Sequence, residues 1–85
     1  MDSIETLNIK QAKAYADKYE MDLDIRRHED MAELYSQTGN KKLMDMHIEA
    51  HALAFKASTL YFFMAASLGR EIVFLERMSA LEAKK

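Results

Sequence analysis

Apolar side chains recur along this chain at spacings of three and four, the period of a helix packed on a neighbour. Ile9, Ala12, Ala16, Tyr19 and Leu23 form one line, and Met21, Ile25, His28, Ala32 and Tyr35 form a second on a rotated face. Between them, near Glu20 to Asp24, a kink or short break is open, because Asp22 or Asp24 can cap a new helix. Asn8, with Gln11 three residues on, reads as a capping box, and Ser3 with Thr6 as an earlier, weaker start. The pattern therefore predicts a helical region over about residues 8–37. Residues 38–40 are the clearest punctuation: Gly39 suits the left-handed end of a helix, and Asn40 suits the cap of the next.

A second helical region is predicted from about 41 to 83, and its pattern is richer. Leu43, Met46, Ala50, Leu53, Ala57, Leu60 and Met64 alternate by threes and fours, and Ser67, Glu71, Phe74, Met78 and Leu81 continue the register. Met44, Ile48, Phe55, Phe62, Ala66 and Val73 form another line beside it. Two apolar lines imply two buried faces. One can pack on the first helix, because a short turn makes the two helices antiparallel neighbours. The other requires a surface from outside. Residues 57–69 carry no charge and are apolar on nearly every side, the mark of a helix covered all round.

Composition agrees with an all-α fold. There is no proline, only two glycines (Gly39 and Gly69), and a single valine, Val73. Gly69 fits a bend, the close approach of another backbone or, equally, the ordinary tolerance of a glycine inside a helix. With 85 residues the chain is one domain. A domain that small buries only ~60% of its unfolded surface, so oligomerisation, disulfides or a metal commonly complete its stability. It has no cysteine, which removes disulfides and cysteine-based zinc sites. The expected architecture is an antiparallel helical hairpin, with a short extra N-terminal helix as a variant, assembled into a homo-oligomeric bundle.

Charge excludes more than it assigns. Twelve basic and fourteen acidic groups give a net charge of −2, without the basic excess that a nucleic-acid backbone calls for. The acidic start, Met1-Asp2-Ser3, does not resemble a secretory leader. The uncharged block spans only ~20 Å as a helix against ~30 Å of bilayer hydrocarbon. It therefore reads as a core helix of a soluble, cytoplasmic protein with no membrane partner.

Three groups of residues can carry function. The first is an interface for a second copy or another protein: Phe55, Leu60, Phe62, Phe63, Met64, Ile72, Phe74 and Leu75. The second is a divalent metal site. His47 and His51 share a helix face, and in a hairpin where facing positions sum to about 78 His28 falls between them. Glu29 or a water would complete the set. The third is a nucleic-acid contact at Lys41 and Lys42, which a near-neutral charge makes the poorest of the three. The seven methionines fit cores or adaptable surfaces, and the acidic residues around Arg26 and Arg27 fit a solvated face. No phosphate-binding glycine loop or nucleophile–base pair appears, and no cofactor is implied. The expected function is a non-enzymatic interaction module, such as an adaptor, chaperone or inhibitor. A metal-binding bundle and a nucleic-acid-binding regulator are the alternatives.

Overall fold

The computed structural model describes residues 3–84. It is an antiparallel hairpin of two unbroken helices, α1 (Ile4–Gln37) and α2 (Lys41–Ala83). Met1, Asp2 and Lys85, with the charges of the last two, lie outside the described residues.

The helix starts are set by their caps. Ser3 begins α1: its Oγ accepts from the Thr6 N–H at 3.1 Å. Asn8 is thus inside the helix, one turn past the true start. Ser3, five residues ahead of Asn8, caps a turn that a start at Asn8 would leave unformed. The stretch Glu20 to Asp24 is also continuous helix. Its aspartates act through their side chains instead: Asp24 accepts from Arg27 at 3.0 Å, and Asp22 reaches across to α2.

The turn combines two motifs in four residues. Gly39 takes φ +76°, a left-handed conformation open to glycine. It allows the Asn40 N–H to donate to Tyr35 O at 2.9 Å and its own N–H to donate to Ser36 O at 3.3 Å, which satisfies the last carbonyls of α1. Asn40 Oδ1 then accepts from the Leu43 N–H at 3.2 Å and starts α2.

One seam joins the helices. On α1 it runs through Leu7, Gln11, Ala14, Lys18, Met21, Ile25, His28, Ala32 and Tyr35, every one buried or half-buried. On α2 it runs through Met44, His47, His51, Ala54, Ser58, Tyr61, Ala65, Leu68 and Ile72. Both lines hold the three–four alternation throughout. The line Met21 to Tyr35 is therefore the second half of one continuous seam, and Ile9, Ala12, Ala16 and Tyr19 lie outside it, exposed.

Small side chains let the helices approach. Ala14, Ala54, Ser58 and Ala65 are buried at the contact, beside Leu7 and Ile72. Gly69 belongs to the same device: a Cβ there would come within 2.8 Å of Gln11 Nε2. That amide instead donates to Ala65 O at 3.1 Å.

The block 57–69 is consequently not a core in this hairpin. Of its residues only Ser58 and Ala65 are buried. The molecule is a rod of 70 × 16 × 14 Å, two helices thick, and among the described residues nothing covers the far sides of α2. With 43 residues against 34, α2 also runs past the start of α1.

Candidate interaction surface

The large apolar side chains of α2 stand outside the seam, on both its flanks. The line Leu43 to Leu81 sits one residue behind the seam line, about 100° around the helix. Its members Met46, Leu53, Leu60, Met64, Phe74, Met78 and Leu81 are exposed. Ile48, Phe55, Phe62 and Val73 emerge on the opposite flank and are exposed too.

Each flank forms a shallow groove with a different edge of α1. On one side Tyr61, Met64 and Leu68 meet Lys10, Lys13, Ala14 and Asp17 around about 300 Å³. On the other, Phe55, Thr59 and Phe62 meet Lys18, Asp22, Ile25 and Glu29 around about 410 Å³. A third hollow, lined by Phe74, Leu75, Met78, Ser79 and Glu82, lies near the end of α2.

The eight residues expected to form one interface are thereby divided. Leu60, Met64 and Phe74 lie on the first flank; Phe55 and Phe62 lie on the second. Phe63 points away from α1, edge-on to Phe62 at 5.9 Å between ring centroids. Ile72 is buried in the hairpin's own seam and has no surface to offer a partner. Leu75, next on the same line, is half-buried. Hydrophobicity and spacing alone place all eight together; the choice of seam separates them.

The histidines converge only in part. His28 and His47 meet Nδ1 to Nδ1 at 3.0 Å, one donating and the other accepting, and Tyr35 stacks on His47 at 5.6 Å. His51 turns away, and its Nε2 donates to Glu29 Oε1 at 2.9 Å. These contacts engage one nitrogen of each ring. Among the described residues no three His, Cys, Asp or Glu side chains gather as a metal-holding group.

Lys41 and Lys42 are exposed at the turn. Lys41 Nζ is bonded to Asp45 at 2.8 Å, and this carboxylate raises the lysine's pKa.

Polar links across the seam fix its register. Besides Gln11 to Ala65 and the two histidine contacts, Ser58 Oγ donates to Asp22 Oδ1 at 2.6 Å, while Lys18 Nζ holds Oδ2 at 2.7 Å. Lys18 first and Ser58 second lower the Asp22 pKa, against a smaller opposing effect of burial. A slip of the helices would break all these bonds at once, so polar seam positions select one alignment. Gln11, Lys18, Asp22 and Ser58 carried no apolar signal, but the unbroken spacing from Leu7 to Tyr35 contains the first two.

By length and composition α2 is apolar enough to cross a membrane: an 18-residue window has mean hydropathy 1.3, and 17% of it is buried. No protein-family model matches the chain, and no curated protein or solved structure matches it either.

Proposed function

We propose that this protein is a non-enzymatic interaction module that works as an oligomer, docking through the outer faces of α2 in the manner of a small adaptor, chaperone or inhibitor. The observation that carries this reading is the exposure of Phe55, Leu60, Phe62, Phe63, Met64 and Phe74 in the single hairpin, each between 48% and 61%. Apolar patches on this scale mark protein or membrane contacts.

A protein cover is favoured over lipid by what lies level with the block. The bonds from Gln11 to Ala65 and from Asp22 to Ser58 hold Lys13, Asp17 and Lys18 alongside it. Hydrocarbon around α2 would take those charges with it, at several kcal/mol each as an order of magnitude.

The test is the double substitution Phe62→Ala/Phe63→Ala, followed by melting and sedimentation. If protein covers these rings, the variant melts lower and its assembly weakens while its helicity stays. A monomeric wild type whose melting the double substitution leaves unchanged refutes the reading.

A further inference from the structure

Resting on the interaction reading, we infer that a second copy of this chain covers the Leu53, Leu60 and Met64 flank of α2, antiparallel, about a two-fold axis between Leu60 and Met64. Three observations converge on this occupant.

The first is periodicity. The flank repeats the three–four alternation of the seam from Leu43 to Leu81, displaced from it by one residue, about 100°. A helix in a square four-helix bundle needs two packed lines at roughly that angle, one for each neighbour. In the antiparallel register Leu60 meets the partner's Met64, Ala57 meets the partner's Ser67, and Ala50 meets the partner's Phe74. Two of the six pairings hold a small side chain; Leu60 with the partner's Met64, Met46 with the partner's Met78 and Leu43 with the partner's Leu81 set large against large. The line's one charge, Glu71, stands opposite Leu53 at some cost in desolvation.

The second is charge. The edge of α1 on this flank presents Lys10, Lys13 and Asp17 beside Met64, and Glu20 follows at the same spacing. The order basic, basic, acidic, acidic is antisymmetric about its midpoint. A two-fold axis between Lys13 and Asp17 therefore sets Lys13 against the partner's Asp17 and Lys10 against the partner's Glu20, each pair occurring twice, with the Lys13–Asp17 ion pair inside each α1, at 3.2 Å, shared into the same cluster. The edge on the other flank, with Asp22, Arg26, Glu29 and Glu33, has no such antisymmetry. A three–four line on α2 admits a two-fold axis about every 3.5 residues, and the one between Leu60 and Met64 is that level with the α1 axis. Interpolating between the Gln11–Ala65 and Asp22–Ser58 bonds places the α1 midpoint level with about residue 63 of α2, within ~1.5 Å along the axis of the Leu60/Met64 midpoint.

The third is area. The hairpin exposes 6584 Å², whereas a compact monomer of 9.8 kDa exposes about 5,200 Å². The excess of roughly 1,400 Å² exceeds the ~800 Å² per partner of a standard interface and suits a permanent dimer.

Charge exchange tests the register while leaving the apolar surface untouched. Sedimentation equilibrium at low salt should find a wild-type dimer. Lys10→Glu/Lys13→Glu and Asp17→Lys/Glu20→Lys should each weaken it at least about tenfold, because four attractive pairs become repulsive. Mixing the two variants should give a heterodimer, and all four changes in one chain should restore the homodimer. Circular dichroism checks that every variant keeps its helices.

A variant that dimerises with wild-type affinity, or a mixture that fails to recover, overturns the antiparallel register. If Phe62→Ala/Phe63→Ala, whose rings lie off this flank, dissociates the assembly in that case, the interaction reading stands without it. A wild type that is monomeric at about 100 µM, well above the Kd of a stable dimer, overturns the second copy. Vesicle binding by such a monomer would then identify a lipid cover, and binding to another protein a foreign one.

Discussion

Leu60→Ala separates a hairpin that stands alone from one that is covered, because the two cases differ in magnitude. Leu60 is 61% exposed, so only about two-fifths of it is out of water in the single chain. Full burial of leucine contributes about 1.5–3 kcal/mol, so truncation in an isolated hairpin costs about 1 kcal/mol or less. Alanine's better helix propensity offsets a little of that. Against a partner near the two-fold axis the same change removes a buried side chain and leaves a cavity, at about 2–5 kcal/mol for each copy. For a domain of this size that is a drop in Tm of about 10 °C or more, against about 5 °C for the uncovered case. Urea and thermal melts followed by circular dichroism, at two concentrations roughly a hundredfold apart, measure both the size of the loss and its dependence on mass action. Leu7→Ala is the contrast: Leu7 is 1% exposed within the chain, so it costs about 2–5 kcal/mol with or without a partner. A Leu60→Ala loss near 1 kcal/mol with concentration-independent melting refutes the covered surface.

Two further outcomes test the seam. Gly69→Ala gains about 1 kcal/mol of helix propensity but displaces the Gln11 amide from Ala65 O, a bond contributing about 1 kcal/mol. Stability should therefore stay within about 1 kcal/mol of wild type, and a loss above about 2 kcal/mol would show that backbone, and not a mobile amide, fills that space. Ser58→Ala should cost about 1 kcal/mol at neutral pH, through the lost bond to Asp22. Because the folded Asp22 pKa lies below its ordinary 3.8, its contribution is complete above that value and is lost as pH falls through the folded one. The penalty of Ser58→Ala should thus shrink in melts taken below pH 3.8; a penalty that grows there would refute the linkage. The whole Asp22 effect stays below about 1 kcal/mol, since its side chain is 43% exposed.

The all-α class, the two helices, the turn at Gly39 and Asn40 and the span of α2 were legible in the amino-acid order. They depend on local chemistry: no proline, a glycine free to take positive φ, and an asparagine placed to cap. The start of α1 was less clear, since Ser3 and Asn8 both offer a capping oxygen and the choice rests on which continues into regular helix. Of the candidate surface, the apolar residues and their spacing could be read, as could the approach of His28 to His47. Which line of α2 faces α1 was decided only in three dimensions. The helix carries apolar side chains on the seam and on both flanks, and hydrophobicity does not rank them. The seam went to the line of Ala54, Ser58, Ala65 and Ile72, where small side chains let the helices close and where Gln11, Asp22, His28 and Glu29 find partners. Larger side chains such as Leu53, Phe55, Leu60 and Phe63 were left facing out, because a close, hydrogen-bonded contact selects for shape and polarity that no count of apolar residues along the chain contains.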